Sequence, residues 1–286
     1  MRAVSHGWIF LIGLVCAACG ARGDDVTRVV SQTVGGDELL LAVAAPEQIA
    51  ALSHLARDRE FSGVAVEAAA YPQIESGDAE TILKFRPTLA LFADYSRAEL
   101  VEQVRRAGVR VVVFERYASI ADAHENLRLL AAELGPGAKA RAERIVAADT
   151  ERLEALRGRL AGARTARVIA PSTYGVIAGA CTTFQDLCDH AAAENLAATL
   201  GGLNGHATPP TEQLLVWPIE RVVLSGDTVD AALAPYLRLP PYQFMPAIKE
   251  RRVALISSWM LGCVSHRRID AYEALARALH PEAFAR

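Results

Sequence analysis

The chain has 286 residues, with Lys+Arg 30 against Asp+Glu 33, 22% charged and 52% hydrophobic residues, and a formal net charge of -3. This length and ordinary globular composition fit one large domain or two linked lobes. There is no basic excess and no Lys/Arg stripe, because the arginines sit beside Glu and Asp on helical patterns; nucleic-acid binding is therefore excluded as a function class.

The first residues differ from the rest. Arg2 precedes an apolar run over 8–18 that ends in Ala17, Ala18, Cys19 and Gly20. This pattern predicts a signal peptide over 1–21. The run is about half of the roughly 20 residues that a membrane-spanning helix needs. Ala-Ala-Cys-Gly also resembles a bacterial lipobox, which makes Cys19 a candidate for lipidation. Cys16 stands where that motif usually has Leu, so cleavage near Ala21 without a lipid is the alternative.

Downstream, apolar β-rich runs at 28–33, 64–68, 89–93 and 110–114 predict strands, and the segments between them read as helices. The 97–107 segment puts Leu100, Val101 and Val104 on one face, and the 126–134 segment does the same with Leu127, Leu130 and Leu134. Alternation of this kind predicts a parallel α/β sheet. Gly135-Pro136-Gly137 is a strong stop. After it, Ala142, Ile145, Val146, Leu153, Leu156 and Leu160 recur at helical spacing, which predicts one helix over 138–160, roughly 30 to 35 Å long and able to bridge two lobes.

The alternation then restarts, with strands predicted at 166–170, 221–224 and 253–256 and helices at 183–192, 229–237 and 269–279. The expected organisation is an N-terminal α/β lobe over 22–136, a linking helix over 137–161 and a C-terminal α/β lobe over 162–286. A local echo joins the halves. Glu80 opens a short helical segment that Pro87 stops before a buried strand, and Glu212 opens another that Pro218 stops in the same way. Cys181, Cys188 and Cys263 remain in the mature chain. In an oxidising compartment they allow one bridge, either Cys181 to Cys188 or Cys181 to Cys263. No CxxC pair supports a zinc site, and the spacing of Cys188 and His190 does not suggest one either.

These features resemble the periplasmic binding proteins that serve ABC importers of vitamin B12, iron-siderophores and haem. The resemblance is carried by Val29-Val30-Ser31 with Glu38 in the following helix, the 80–87 segment and the 104–113 segment with its Ala-Gly-Val turn. Further on it includes Glu194-Asn195-Leu196-Ala197, the 212–218 segment and Leu275-Ala276-Arg277-Ala278-Leu279-His280-Pro281. It implies two Rossmann-like lobes with parallel sheets, a rigid linking helix and a ligand cleft between the lobes. It also implies a monomer in the periplasm or on the outer face of the membrane, which hands a small-molecule metal chelate to a permease dimer. Glu80 and Glu212 match the glutamates that such proteins present to permease arginines, where a carboxylate and a guanidinium form charge-assisted, often bidentate hydrogen bonds. Each also complements the positive end of its own helix.

Open α/β sheets bind ligands at the carboxyl ends of their strands. By position the candidates are Tyr71, Asp94, Tyr95, Arg116 and Tyr117 in the first lobe, and Tyr174, Thr182, Thr183, Trp259 and Met260 in the second. Aromatic rings suit a flat corrin or porphyrin. The resemblance makes Tyr71 a candidate iron ligand in a haem complex, with His266 a possible second ligand, while Arg116 suits siderophore carboxylates or propionates. No resident cofactor and no protein-held metal is expected.

The chain has no GxSxG, HExxH or Walker A motif, and its Gly201-Gly202-Leu203-Asn204-Gly205 segment reads as a turn; the expectation is a protein that is not an enzyme. The alternative is a lipid-anchored sensor or interaction protein that uses the same fold without transport.

Overall fold

A computed structural model describes residues 27–285. The 1–21 leader and Cys19 lie outside the described residues. Two four-stranded parallel sheets organise the chain. In the first, β1 (Val29–Ser31), β2 (Ile49–Ala51), β3 (Leu89–Ala93) and β4 (Arg110–Phe114) lie in the order β2-β1-β3-β4. All residues of β1, β2 and β3 are buried. Such continuous apolar runs mark parallel strands covered on both faces. Alternate side chains feed the two faces: Val29, Leu89 and Leu91 pack with Leu39, Leu40, Leu127 and Leu130, whereas Val30, Ala90 and Phe92 pack with Ile82, Leu100 and Val104.

The second sheet holds β5 (Ala166–Ile169), β6 (Ala193–Asn195), β7 (Arg221–Ser225) and β8 (Val253–Ile256) in the order β8-β7-β5-β6, all parallel. Read from its other edge, this is the order of the first sheet. In both halves the first and third strands lie side by side with the second and fourth at the edges. A small antiparallel ribbon, Ile177–Ala178 with His206–Ala207, is added to the second half.

Helix α1 (Val34–Val43) starts at Thr33, whose side chain accepts from Gly36 N. Helix α2 (Ile120–Leu134) ends at Gly135, which holds a φ of 105°. Glycine enters that region without the Cβ penalty, and Pro136 then occupies the first position of α3 (Pro136–Arg159), where its missing N–H costs nothing. The 24 residues of α3 span about 36 Å. Ala138 and Ala142 at its start belong to the N-terminal core, and Leu156 near its end belongs to the C-terminal core. The linking helix is therefore a structural part of both lobes.

Several expectations change. Residues 64–68 form no strand: Ala65–Ala68 is a single helical turn, and the strand of that region is β2. A strand would turn Val64, Val66 and Ala68 to one face, yet Val66 is 69% exposed, and the alanines favour a turn of helix. The helix expected over 183–192 stops at His190, because Ala192 adopts a φ of 48° and leads into β6. The helix expected over 229–237 ends at Leu233, just before Pro235, which has no N–H to continue it. The thiols of Cys181, Cys188 and Cys263 are all free, so the expected bridge is not formed; Cys188 and Cys263 are buried in different surroundings and Cys181 is exposed.

Candidate functional site

Loops leaving the carboxyl ends of both sheets enclose a cleft. Its N-terminal part, about 600 Å³, is lined by Gln32 to Gly35 after β1, by Ser53, His54, Leu55, Glu60 and Phe61 after β2, and by Tyr95, Ser96 and Arg97 after β3. Ser258, Trp259 and Gly262 to Val264 close it from the C-terminal lobe. The neighbouring part, about 970 Å³, adds Thr173 and Tyr174 after β5 and Ser225 to Asp227 after β7, and shares Glu60, Phe61, Ser258 and Trp259 with the first. Both parts sit where the loops leaving the adjacent first and third strands of a sheet diverge, the crevice an open parallel sheet offers to ligands. The lips are apolar and open: Phe61 is 54% exposed, Tyr95 65% and Tyr174 92%. Exposed aromatics gathered at a concave surface mark a binding site.

The N-terminal wall is fixed by buried polar contacts. Asp37 on α1 accepts from Ser53 N at 3.0 Å and from Ser53 Oγ. Burial pushes its carboxyl up to about 7, partly offset by these Ser53 bonds. The Gln73 amide donates to Ser53 O at 3.3 Å and His54 O at 3.1 Å. Gly36 packs closely beneath the wall: a Cβ there would lie 2.7 Å from Ser31 Oγ and 3.2 Å from Thr33 Oγ1, so both hydroxyls would have to move.

Under the cleft the lobes are tied together. Glu38 on α1 is buried; it accepts from Gly63 N at 2.9 Å and from Ser265 Oγ of the C-terminal lobe, with Cys263 Sγ at 3.6 Å. Burial raises the pKa of Glu38 and, together with the Glu38 charge, that of the Cys263 thiol. Arg268, fully buried on α5 (Arg268–Leu279, following α4 at Thr183–His190), donates to Asp186 Oδ2 at 2.9 Å, to Cys263 O and, across the lobes, to Tyr117 O at 2.8 Å. A Cβ on Gly63 would meet Arg267 Nε at 2.8 Å and the Trp259 ring at 3.0 Å. The absent side chain lets Trp259, with the Arg267 guanidinium 5.5 Å from its ring centroid, pack against the opposite lobe.

Of the residues singled out from sequence, the structure brings Tyr95, Tyr174 and Trp259 to the cleft. The others are engaged elsewhere. Tyr71 packs against the N-terminal core and accepts from Arg57 through its carbonyl. Tyr117 donates to Asp94 at 2.7 Å, which pushes its phenol up to about 12. Arg116 pairs with Asp122 at 2.7 Å and with Glu125 at 3.2 Å. Thr182 caps α4, accepting from Gln185 N and donating to Gly179 O at 2.8 Å. Thr183 donates to Leu261 O at 2.6 Å, and Met260 packs on the C-terminal core. His266 lies off the cleft lining, and burial holds its pKa down at about 4. Glu80 is exposed and faces Lys84 at 3.4 Å; Glu212 is exposed on its own short helix. Sequence reading missed His54, Glu60 and Phe61, because the loop that carries them follows β2, a strand it had not assigned.

Among the described residues, no group of three or more His, Cys, Asp and Glu could hold a metal ion, and no helix is long and apolar enough to cross a membrane. No curated protein matches the chain. The solved structures it resembles include the periplasmic heme-binding protein RhuT of Roseiflexus sp. RS-1 in its apo form, at 21% identity and a TM-score of 0.78, covering 90% of this chain and 99% of that one. A periplasmic heme-binding protein of Pseudomonas aeruginosa matches at 22% identity and a TM-score of 0.74 over 89% and 93% of the two chains. HutB of Vibrio cholerae matches at 18% and 0.73 over 89% and 99%. At these identities the likeness is one of fold. A family model described as "Periplasmic binding protein" matches residues 29–258. The chain therefore belongs to the periplasmic binding protein family, with the extracytoplasmic substrate-binding role that membership carries.

Proposed function

We propose that the protein captures a metal chelate of the cobalamin, ferric siderophore or haem class in the cleft and delivers it to the permease of an ABC importer. The observation that carries this reading is the cleft itself: two carboxyl-edge crevices run together beneath Phe61, Tyr95, Tyr174 and Trp259, which offer apolar faces to a large flat ligand. The haem-binding proteins of the same fold support the ligand class. Docking is supported by the two glutamates. Glu80 is the second residue of helix Ala79–Lys84, which precedes β3, and Glu212 the second of helix Thr211–Leu214, which precedes β7. The two carboxylates thus occupy equivalent places before the third strand of each sheet, and two guanidinium contacts there would register both lobes at once.

The test is a titration of the mature protein with haemin, cyanocobalamin and a ferric siderophore, followed by absorption and by Trp fluorescence. Trp259 lines both parts of the cleft, so saturable quenching by one chelate is the expected result. Silence with all three overturns the reading.

A further inference from the structure

Trp259 lines both parts of the cleft, yet its own segment does little to fix it there. It sits on a single helical turn, Ser258–Leu261, that has no side-chain cap and no buried residue. The ring is held from outside that turn. The Arg267 guanidinium lies 5.5 Å from the ring centroid, and the opposite lobe presents the bare backbone of Gly63, where a Cβ would meet the ring at 3.0 Å.

Both supports lead back to one carboxylate. Glu38 Oε1 accepts from Gly63 N at 2.9 Å, and Glu38 Oε2 accepts from Ser265 Oγ, with Cys263 Sγ at 3.6 Å. Ser265 Oγ in turn accepts from Arg267 N at 3.1 Å. One oxygen of Glu38 therefore holds the backbone that packs on the ring from the N-terminal lobe, and the other holds the segment that carries the stacking guanidinium. Glu38 does not serve its own helix end, because Thr33 caps α1 and Glu38 lies beyond the first turn. Burying a carboxylate among neutral donors costs stability that an apolar side chain in the same place would not. What its two oxygens supply is a tie to each lobe at the edge of the cleft, where Glu38 itself forms part of the lining.

We propose that Glu38 is the positioning residue of the cleft: by holding Gly63 in one lobe and Ser265 in the other, it sets the Trp259 ring in place before the ligand arrives. A ring already in place offers its face without an ordering cost at binding. The same two bonds make the lobe contact and the aromatic wall a single device, so that parting the lobes at Ser265 releases the ring as well. The placement of Trp259 in the unliganded protein stands whatever the cleft binds, and only its effect on affinity rests on the chelate-binding reading above.

The experiment labels the mature protein with fluorotryptophan and follows each indole by fluorine NMR without ligand, the Trp259 line being assigned with Trp259→Phe. Wild type is compared with Glu38→Ala and with Ser265→Ala, which cuts only the tie to the C-terminal lobe and leaves Gly63 bonded to Glu38. Far-UV circular dichroism checks the fold. The expected result is that the Trp259 line shifts toward that of the free amino acid in both variants, while the line of Trp217, which packs on the C-terminal core, stays in place. Haemin, cyanocobalamin and a ferric siderophore are then titrated in, and whichever wild type binds should bind both variants about 10-fold or more weakly. A Trp259 line that stays put in the folded variants, a Trp217 line that moves with it, or unchanged affinity despite release of the ring overturns the Glu38 assignment and leaves the chelate-binding reading standing. Release of Trp259 in the variants of a protein that binds none of the three chelates overturns the chelate-binding reading and upholds the placement of Trp259 by Glu38.

Discussion

The two lobes share a strand order and differ in how their cleft-facing loops are held. The N-terminal wall is anchored from beneath by Asp37, Ser53 and Gln73. Its C-terminal counterpart around Tyr174 is tied at its base, by Tyr236 OH to Pro171 O at 2.8 Å and Ser172 N to Val176 O, while its tip has the local turn bonds Tyr174 N to Ser172 Oγ and Gly175 N to Ser172 O and leaves Tyr174 almost wholly exposed. One topology thus yields a wall pinned at the residues that line the cleft and another pinned at its base, with a freer tip. Equivalent folds need not divide the work of binding equally, because the loops carry it and buried polar side chains beneath them decide their stiffness.

The largest effect is expected where the lobes are joined. Arg268→Ala leaves Asp186 buried without its cation and removes the tie to Tyr117 O, which should cost about 3–5 kcal/mol in chemical denaturation and loosen both walls together. Asp37→Ala should act on one wall. It strands the Ser53 amide, at a cost of about 1–3 kcal/mol, and amide exchange should rise in the 52–55 segment while the 172–175 segment stays unchanged. Asp37 also sets a pH dependence. Its folded carboxyl is raised to about 7 from 3.8, so its contribution to stability is full below about 4 and is lost as the pH rises toward 7. Asp37→Asn should flatten the stability profile across that window.

The smallest effect on stability is expected at the two glutamates proposed for docking. Glu80→Ala and Glu212→Ala should stay within about 0.5 kcal/mol and keep full ligand affinity, while each lowers stimulation of the importer's ATPase in a reconstituted assay. Unequal losses from the two would extend the difference between the lobes to the proposed docking surface.

The sequence made the fold legible wherever a strand was long and apolar. Leu89–Ala93, Arg110–Phe114, Arg221–Ser225 and Val253–Ile256 were all visible as runs, and the period of Ala142, Leu153 and Leu156 marked the linking helix. Two of the three three-residue strands, β2 and β6, were not. Ile-Ala-Ala and Ala-Glu-Asn have weak intrinsic β preference, and only pairing with β1 and β5 makes them strands. That miss propagated into the site. Without β2, the loop bearing His54 and Phe61 carries no sequence signal of a strand end, whereas Arg116 and Thr182 lie near visible strand ends although local carboxylates and caps occupy them. Long-range pairs such as Glu38 with Ser265, or Arg268 with Tyr117, leave no trace in local spacing.

The helix Pro136–Arg159 gives its first turns to one core and its last turns to the other. Neither half of the chain can keep a finished interior without it. Loss of order at one end exposes apolar surface that the same rod covers, and the resulting strain passes along a continuous ladder of backbone bonds to the far end. The two halves should melt as one cooperative unit, and a break in the middle of the rod should uncouple them even though it touches neither sheet.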